Sequence, residues 1–227
     1  MDGAGGNSDA PDLSMAQEPA NLNLFMVCHA LKNAALSNLP AGHSLGLCRP
    51  EDLAFWKGMH FDDTASAAEN RPYMDAYFER VYAPHGNAFY ERCLLAREPE
   101  GAIVGSCFAW PAYGRVSTIH WFKVLKGYEG RGIGRGLLSA VMQGIPSEDY
   151  PVCLHTQPES YRAIKLYSDF GFCLISDACI GRRQNDLEAG LVYLQEHMPG
   201  EAFEGLCFAP APRELLAAAA AAEHDEF

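Results

Sequence analysis

Lys123-Val-Leu-Lys-Gly-Tyr-Glu-Gly-Arg-Gly-Ile-Gly-Arg-Gly-Leu-Leu138 joins the end of an extended apolar run to the start of an apolar helix. Glycines alternate through it at Gly130, Gly132, Gly134 and Gly136. Without side chains the backbone approaches a ligand closely, and the first N–H groups of a helix lack internal acceptors. Those donors, at the positive end of the helix dipole, form a seat for phosphate. Arg131 and Arg135 lie four apart on one face of that end, where each cation opposes the dipole by about 0.3–1 kcal/mol unless an anion sits between them. Lys123 and Lys126 extend the basic patch in a chain of formal net charge −12.

Spacing excludes two familiar phosphate sites. The dinucleotide fingerprint needs Gly-x-Gly-x-x-Gly, and the run from Gly132 is one residue short. The P-loop needs Gly-Lys-Ser/Thr, which is absent. A turn whose glycines serve packing alone is the competing reading, and it leaves the paired arginines unexplained.

Working outward, Cys93–Arg97, Ile103–Trp110 and Val116–Leu125 are extended runs joined by turns at Glu98–Gly101 and Tyr113-Gly114, an antiparallel meander. A helix follows over about 132–143, with Ile133, Leu137, Leu138 and Val141 on its apolar stripe. Upstream, His43–Leu47 reads as a strand, and Leu53–Met59 and Arg71–Tyr82 as helices. Downstream come a strand at Val152–His155, a helix at Tyr161–Phe170 closed by Gly171-Phe172, a strand at Cys173–Ser176, and a helix from Asp186 that ends before Pro199. This is an α/β chain of the α+β type, a mixed sheet with helices on its faces. Leu22–Leu31 fits strand or helix, and Phe203–Phe208 fits a strand. Residues 1–20 read as a disordered leader, 21–210 as one domain, and the alanine-rich 211–227 as a marginal helix or disordered tail.

The negative charge argues against nucleic acid and against docking on anionic lipid by a basic surface. The eight cysteines are scattered in apolar runs without metal-ligand spacing, so the expectation is no metal and reduced thiols in a cytoplasmic protein. No apolar run reaches the length of a membrane span.

With these residues in hand, the chain resembles the GNAT superfamily of N-acetyltransferases. The family's acetyl-CoA motif, Arg/Gln-x-x-Gly-x-Gly/Ala, falls on Glu129–Gly134, with Glu129 in place of the usual arginine or glutamine. A second family half-motif matches Leu154-His-Thr-Gln, Ser160–Tyr167 and Phe170-Gly-Phe172. The resemblance spans roughly 43–176, the expected core, and implies a mostly antiparallel central sheet flanked by helices, here with N- and C-terminal extensions. It also implies acetyl-CoA as cosubstrate. Carried over residue by residue, Phe122, Lys123, Val124, Arg131, Gly132, Ile133, Gly134, Arg135 and Gly136 would hold CoA. Ser160 stands where the family often has a pantetheine-binding asparagine, and either binds the arm or caps the helix.

The same resemblance gives Tyr167 the role of acid toward the departing thiolate; the alternative is a core aromatic with a tethered hydroxyl. For the amine proton, His120 is the leading candidate, because imidazole titrates near neutrality. Thr118, His120 and Phe122 are expected on one strand face. A structural histidine is equally compatible with His120, and His155 is the reserve. Cys107 and Cys153 read as inert, which favours direct transfer.

The acceptor wall is expected among Trp56, His60, Tyr73, Tyr77, Tyr82 and His85. Asp62, Asp63, Asp75 and Glu79 nearby could hold a cation, or be solvated beside a core-facing aromatic stripe. The expected activity is acetyl transfer from acetyl-CoA to a small or peptide amine. A CoA-binding sensor without turnover, and acetylation of protein N-termini or lysines, are the alternatives. Residues 22–31 and 186–210 are open to acceptor or homodimer contacts.

Overall fold

Five consecutive apolar residues build β1, Leu24–Cys28, with every side chain buried. Leu24, Met26 and Cys28 face one core, Phe25 and Val27 another. In the computed structural model, which describes residues 22–61 and 63–227, the chain then runs through β2 (Ser44–Leu47), α1 (Leu53–Gly58), α2 (Thr64–Glu69), α3 (Arg71–Val81) and α4 (Ala88–Arg92). The meander follows as β3 (Leu94–Arg97), β4 (Ile103–Ala112) and β5 (Val116–Val124). Next come α5 (Ile133–Gln143), β6 (Val152–Thr156), α6 (Tyr161–Phe170), β7 (Phe172–Ile175) and a short hairpin, β8 (Cys179–Ile180) and β9 (Arg183–Gln184). The chain closes with α7 (Leu187–His197), α8 (Gly200–Glu204), β10 (Phe208–Ala209) and α9 (Arg213–Ala221). The leader expected at 1–20 lies outside the described residues.

Among the described residues the main sheet has eight strands, ordered β10-β7-β1-β6-β5-β4-β3-β2. Its pairs are antiparallel except β10–β7 and β5–β6. This is the mixed, mostly antiparallel sheet the motifs imply. Helices α5, α6 and α7 cover one face through Ile133, Leu137, Ile164, Phe170 and Leu194. On the other, α1, α3 and α4 bring Trp56, Met74, Phe78 and Phe89 against Phe108 and Trp110 of β4.

Two irregularities shape the site. The first is a bulge: Phe108 pairs with His120 and Ser106 with Lys123, so Trp121 and Phe122 together face the single residue Cys107. Trp121 has φ +47°, left-handed backbone that a bulky residue rarely adopts. The second is divergence: β5 and β6 match at one pair, Thr118 opposite Cys153.

The structure departs from the sequence reading in several places. The segment at 22–31, expected beyond the core of 43–176, supplies β1 in the interior of the sheet, between β6 and β7. Phe203–Phe208 is not one strand, because α8 ends at Glu204 and only Phe208-Ala209 pairs, beside β7. That pairing brings Cys207 to Cys173, joined as a disulfide with Cα atoms 4.6 Å apart, whereas all eight thiols were expected reduced. The alanine tract forms α9, whose Leu215, Ala218 and Ala219 are buried against Ile175 and Ile180. Its small side chains permit close approach: a Cβ on Gly181 would lie 3.0 Å from Ala219 Cβ.

Candidate active site

Where β5 and β6 part, a cavity of about 640 Å³ opens between Ile119–Phe122 and His155–Gln157. Phe122, which lines it, packs against Gly134 in the first turn of α5. Gly132 is its N-cap with φ +85°, and Gly130 just before it has φ +73°. Both conformations require glycine, and nothing lies within 4 Å of a Cβ built on Gly130. The backbone here therefore offers an open approach to the first-turn N–H groups.

The other two glycines serve packing. A Cβ on Gly134 would meet Phe122 at 3.2 Å and Val124 at 3.4 Å, and one on Gly136 would lie 2.8 Å from the Leu39 backbone. Helix α5 thus presses its first turn against β5 and the 38–39 loop, and the packing reading holds for half of the glycine run.

The arginine pair separates likewise. Arg135 Nη2 donates to Asp169 Oδ2 (2.5 Å) and Nη1 to the Ala35 carbonyl (3.1 Å). Burial alone would raise the Asp169 carboxyl, but hydrogen bonds from Lys165 and Arg135 outweigh it and hold it below its usual value. The anion that Arg135 was expected to need is accordingly Asp169 of α6. Arg131 instead lies over the Tyr128 ring, 5.1 Å from its centroid, and is exposed. Glu129 pairs with Arg162 Nη1 at 2.9 Å, so its charge is met at α6.

Tyr167 and Ser160 both line the cavity. Tyr167 is 5% exposed, and its ring lies 5.7 Å from those of Phe122 and Phe172. Among the described residues no hydrogen-bond partner holds its hydroxyl, and burial pushes its pKa above the ordinary phenol value. Ser160 is the N-cap of α6 but makes no side-chain capping bond.

The histidines differ from expectation. His120 is 3% exposed, its Nδ1 is 2.7 Å from Tyr82 Oη, and burial pulls its pKa down to about 3. It is neutral at physiological pH rather than titrating there. Its Nε2 has no hydrogen-bond partner, yet the residue lines the cavity. The bulge also parts the expected trio. Thr118 and His120 share a face, whereas Phe122 turns to the α5 side, where it meets Gly134 and Tyr167.

His155 is pulled down to about 3 by burial and by the charge of Arg183. Its Nε2 lies 2.9 Å from Asn23 Oδ1, which also accepts from Arg183 Nη2 at 3.1 Å. Arginine can only donate, so that atom is an acceptor and His155 Nε2 carries the proton.

Of the residues expected on an acceptor wall, His60, Tyr73 and Tyr77 line the cavity. Trp56 and Tyr82 are instead fully buried in the core behind it. Two of the acids are used elsewhere: Asp63 caps α2, and Asp75 pairs with Lys57 and Arg71. Asp62 lies outside the described residues. Among the described residues the charged ones lining the cavity are Arg80, Arg183 and Asp225, none anticipated from the sequence. Phe227 also enters it, with its main-chain oxygen bonded to Arg183 Nη1. No sequence signal marks Arg183, Asp225 or Phe227, since two-residue strands and a short tail carry no periodicity.

Among the described residues no group of three or more His, Cys, Asp or Glu could hold a metal ion. No helix there is long and apolar enough to cross a membrane.

Residues 58–172, half of the chain, match the acetyltransferase (GNAT) family, and the chain belongs to that family of N-acetyltransferase enzymes. A comparison with curated proteins finds no match. Among solved structures, it is similar to a GNAT-family acetyltransferase from Colwellia psychrerythraea, with 15% identity and a TM-score of 0.48 over 68% of this chain and 53% of that one. It is also similar to a GCN5-related N-acetyltransferase from Sphaerobacter thermophilus, with 21% identity and a TM-score of 0.42 over 62% and 46%. The chain thus spans about half the length of these structures.

Proposed function

We propose that this chain transfers an acetyl group from acetyl-CoA to a primary amine by direct attack in a ternary complex. One observation carries the reading: the β5–β6 divergence opens a cavity lined by Tyr167, beside a helix start shaped by two left-handed glycines. The residues present fit CoA. Gly130 and Gly132 expose the α5 donors to its pyrophosphate, Arg131 and Lys123 supply positive charge, and the Ser160 hydroxyl meets the pantetheine arm. Ile133 and Gly134 carry the backbone of the cradle, Gly136 packs it against Leu39, and Arg135 steadies it through Asp169.

In the reaction the amine nitrogen forms a bond to the acetyl carbon and the thioester C–S bond breaks. Main-chain donors along Phe122–Val124 polarise the carbonyl. The Tyr167 hydroxyl gives its proton to the leaving sulfur, and the proton that the nitrogen loses as the amide forms returns to the phenolate; burial keeps that phenol protonated throughout the neutral range. Neutral His120 orients the amine through Nε2 rather than storing its proton, because a histidine held near pKa 3 is a weak base. The amine therefore reacts from its free-base form. Direct transfer also accords with the cysteines: burial pushes Cys153 up to about 12 and Cys107 well above its usual range, which keeps both as thiols.

The test is thiol release from acetyl-CoA with a panel of small amines and peptides. Amine-dependent release with the N-acetyl product detected by mass supports the reading. Thermal stabilisation by CoA without release for any acceptor supports a sensor instead.

A further inference from the structure

We propose that Arg183 selects the acceptor, and that the amine it selects also carries a carboxylate and an aromatic or large apolar side chain: an amino acid of that class. The inference rests on the acetyl-transfer reading and names the acceptor within it.

Arg183 lies on β9, beyond the family match at 58–172. Its guanidinium is fixed before any ligand arrives. Nη2 donates to Asn23 Oδ1 at 3.1 Å, and the group covers the Phe25 ring at 5.0 Å. Asn23 is held in turn by His155 and by Asp186, whose Oδ2 accepts from the Asn23 main-chain N–H at 2.8 Å. A guanidinium presents five donors in a rigid fork that matches a carboxylate. Within the cavity the main-chain oxygen of Phe227 accepts from that fork and the charge of Asp225 acts on it, but among the described residues no side-chain carboxylate forms an ion pair with Arg183. A second, independent group in the same cavity has no hydrogen-bond partner: His120 Nε2, on a side chain 3% exposed.

Phe227 shows that these two groups lie one residue apart. Its oxygen is on Arg183, while its ring centroid is 6.5 Å from that of His120, 6.3 Å from Phe25 and 6.0 Å from Tyr113. A molecule the size of one amino acid therefore spans from the Arg183 fork to the His120 imidazole, with an aromatic seat between. The acceptor carboxylate takes the place of the Phe227 oxygen, and its side chain takes the ring's seat beside His120, Phe25 and Tyr113. Phe227 competes for this seat, held by Tyr77 Oη donating to the Glu226 carbonyl (2.5 Å) and by the Tyr113 N–H donating to Glu226 Oε2 (2.6 Å). Asp225, which would repel a carboxylate, belongs to the same segment and leaves with it.

The test uses acceptor pairs that differ only in the carboxylate, phenylalanine against phenethylamine and tryptophan against tryptamine, in the thiol-release assay. The full chain should prefer each amino acid by about tenfold or more in kcat/KM, the usual scale of a charge-assisted pair. Arg183→Gln should collapse that ratio, mainly through KM for the amino acid, and Arg183→Lys should restore part of it. Phe227→Ala should lower KM for the amino acids. Equal or better use of the amines, or a uniform loss across both series in Arg183→Gln, overturns the proposal.

Calorimetry on CoA-saturated protein separates the two readings. Arg183-dependent binding of phenylalanine without turnover supports the carboxylate site while removing acetyl transfer. Equal binding of phenylalanine and phenethylamine removes the site.

Discussion

His120 Nδ1 lies 2.7 Å from Tyr82 Oη inside the core, which fixes the ring and leaves only Nε2 for chemistry. Because burial holds this imidazole near pKa 3, the rise of kcat/KM with pH should follow the acceptor. Two acceptors whose amine pKa values differ by about two units should give profiles displaced by about two units. A midpoint fixed near pH 6–7 for both, lost in His120→Ala, would restore His120 as the base.

Tyr167 should affect chemistry rather than binding. Tyr167→Phe removes the proton donor while keeping the ring between Phe122 and Phe172. The expected loss in kcat is roughly 100-fold, with CoA affinity by calorimetry nearly unchanged. Undiminished turnover would take Tyr167 out of the acid role.

The two cradle arginines should respond differently. Arg135→Ala strands Asp169, which retains Lys165, and should lower the melting temperature while weakening CoA less than Arg131→Ala does. Arg131→Ala should leave stability nearly unchanged and weaken CoA by about 0.3–1 kcal/mol. Equal effects of both on CoA affinity would place Arg135 on the phosphates after all.

Acid should unfold the protein early. His60, His120 and His155 are each pulled to about 3, burial being the largest cause in every case. The folded values lie below the unfolded value of about 6.5, so between the two the unfolded chain binds protons that the folded chain does not. Stability is therefore complete above about pH 6.5 and declines as pH falls, by up to about 1.4 kcal/mol per pH unit for each histidine. Denaturant melts at pH 7.5 and 5.5 should show this drop, and His60→Phe should shrink it.

Much of the framework is legible in the sequence, and for physical reasons. Tyr161–Phe170 is readable to the residue because Ile164, Tyr167 and Phe170 keep helical spacing and Gly171 closes the helix at φ +102°. The meander is readable because its turns carry glycine. By contrast β1 is buried on both faces, so its five apolar residues show neither the strand nor the helix period. The bulge at Trp121 is invisible because tertiary packing imposes it: the indole meets Trp56, His60 and Tyr77, from segments remote in sequence. The partner of Arg135 is 34 residues away on α6, a pairing that spacing cannot reveal. The acceptor end is the least legible part, since Asn23, Arg183 and Phe227 meet only after β1, β9 and the segment after α9 fold together.

The central claim is that the β5–β6 divergence receives the acetyl-bearing arm of CoA. A crystal structure with CoA bound tests it most directly. The account predicts pyrophosphate on the N–H groups at the start of α5 beside Gly130 and Gly132, with the sulfur within hydrogen-bond reach of Tyr167 Oη. CoA seated elsewhere, or its sulfur remote from Tyr167 with the cavity between β5 and β6 vacant, would contradict it.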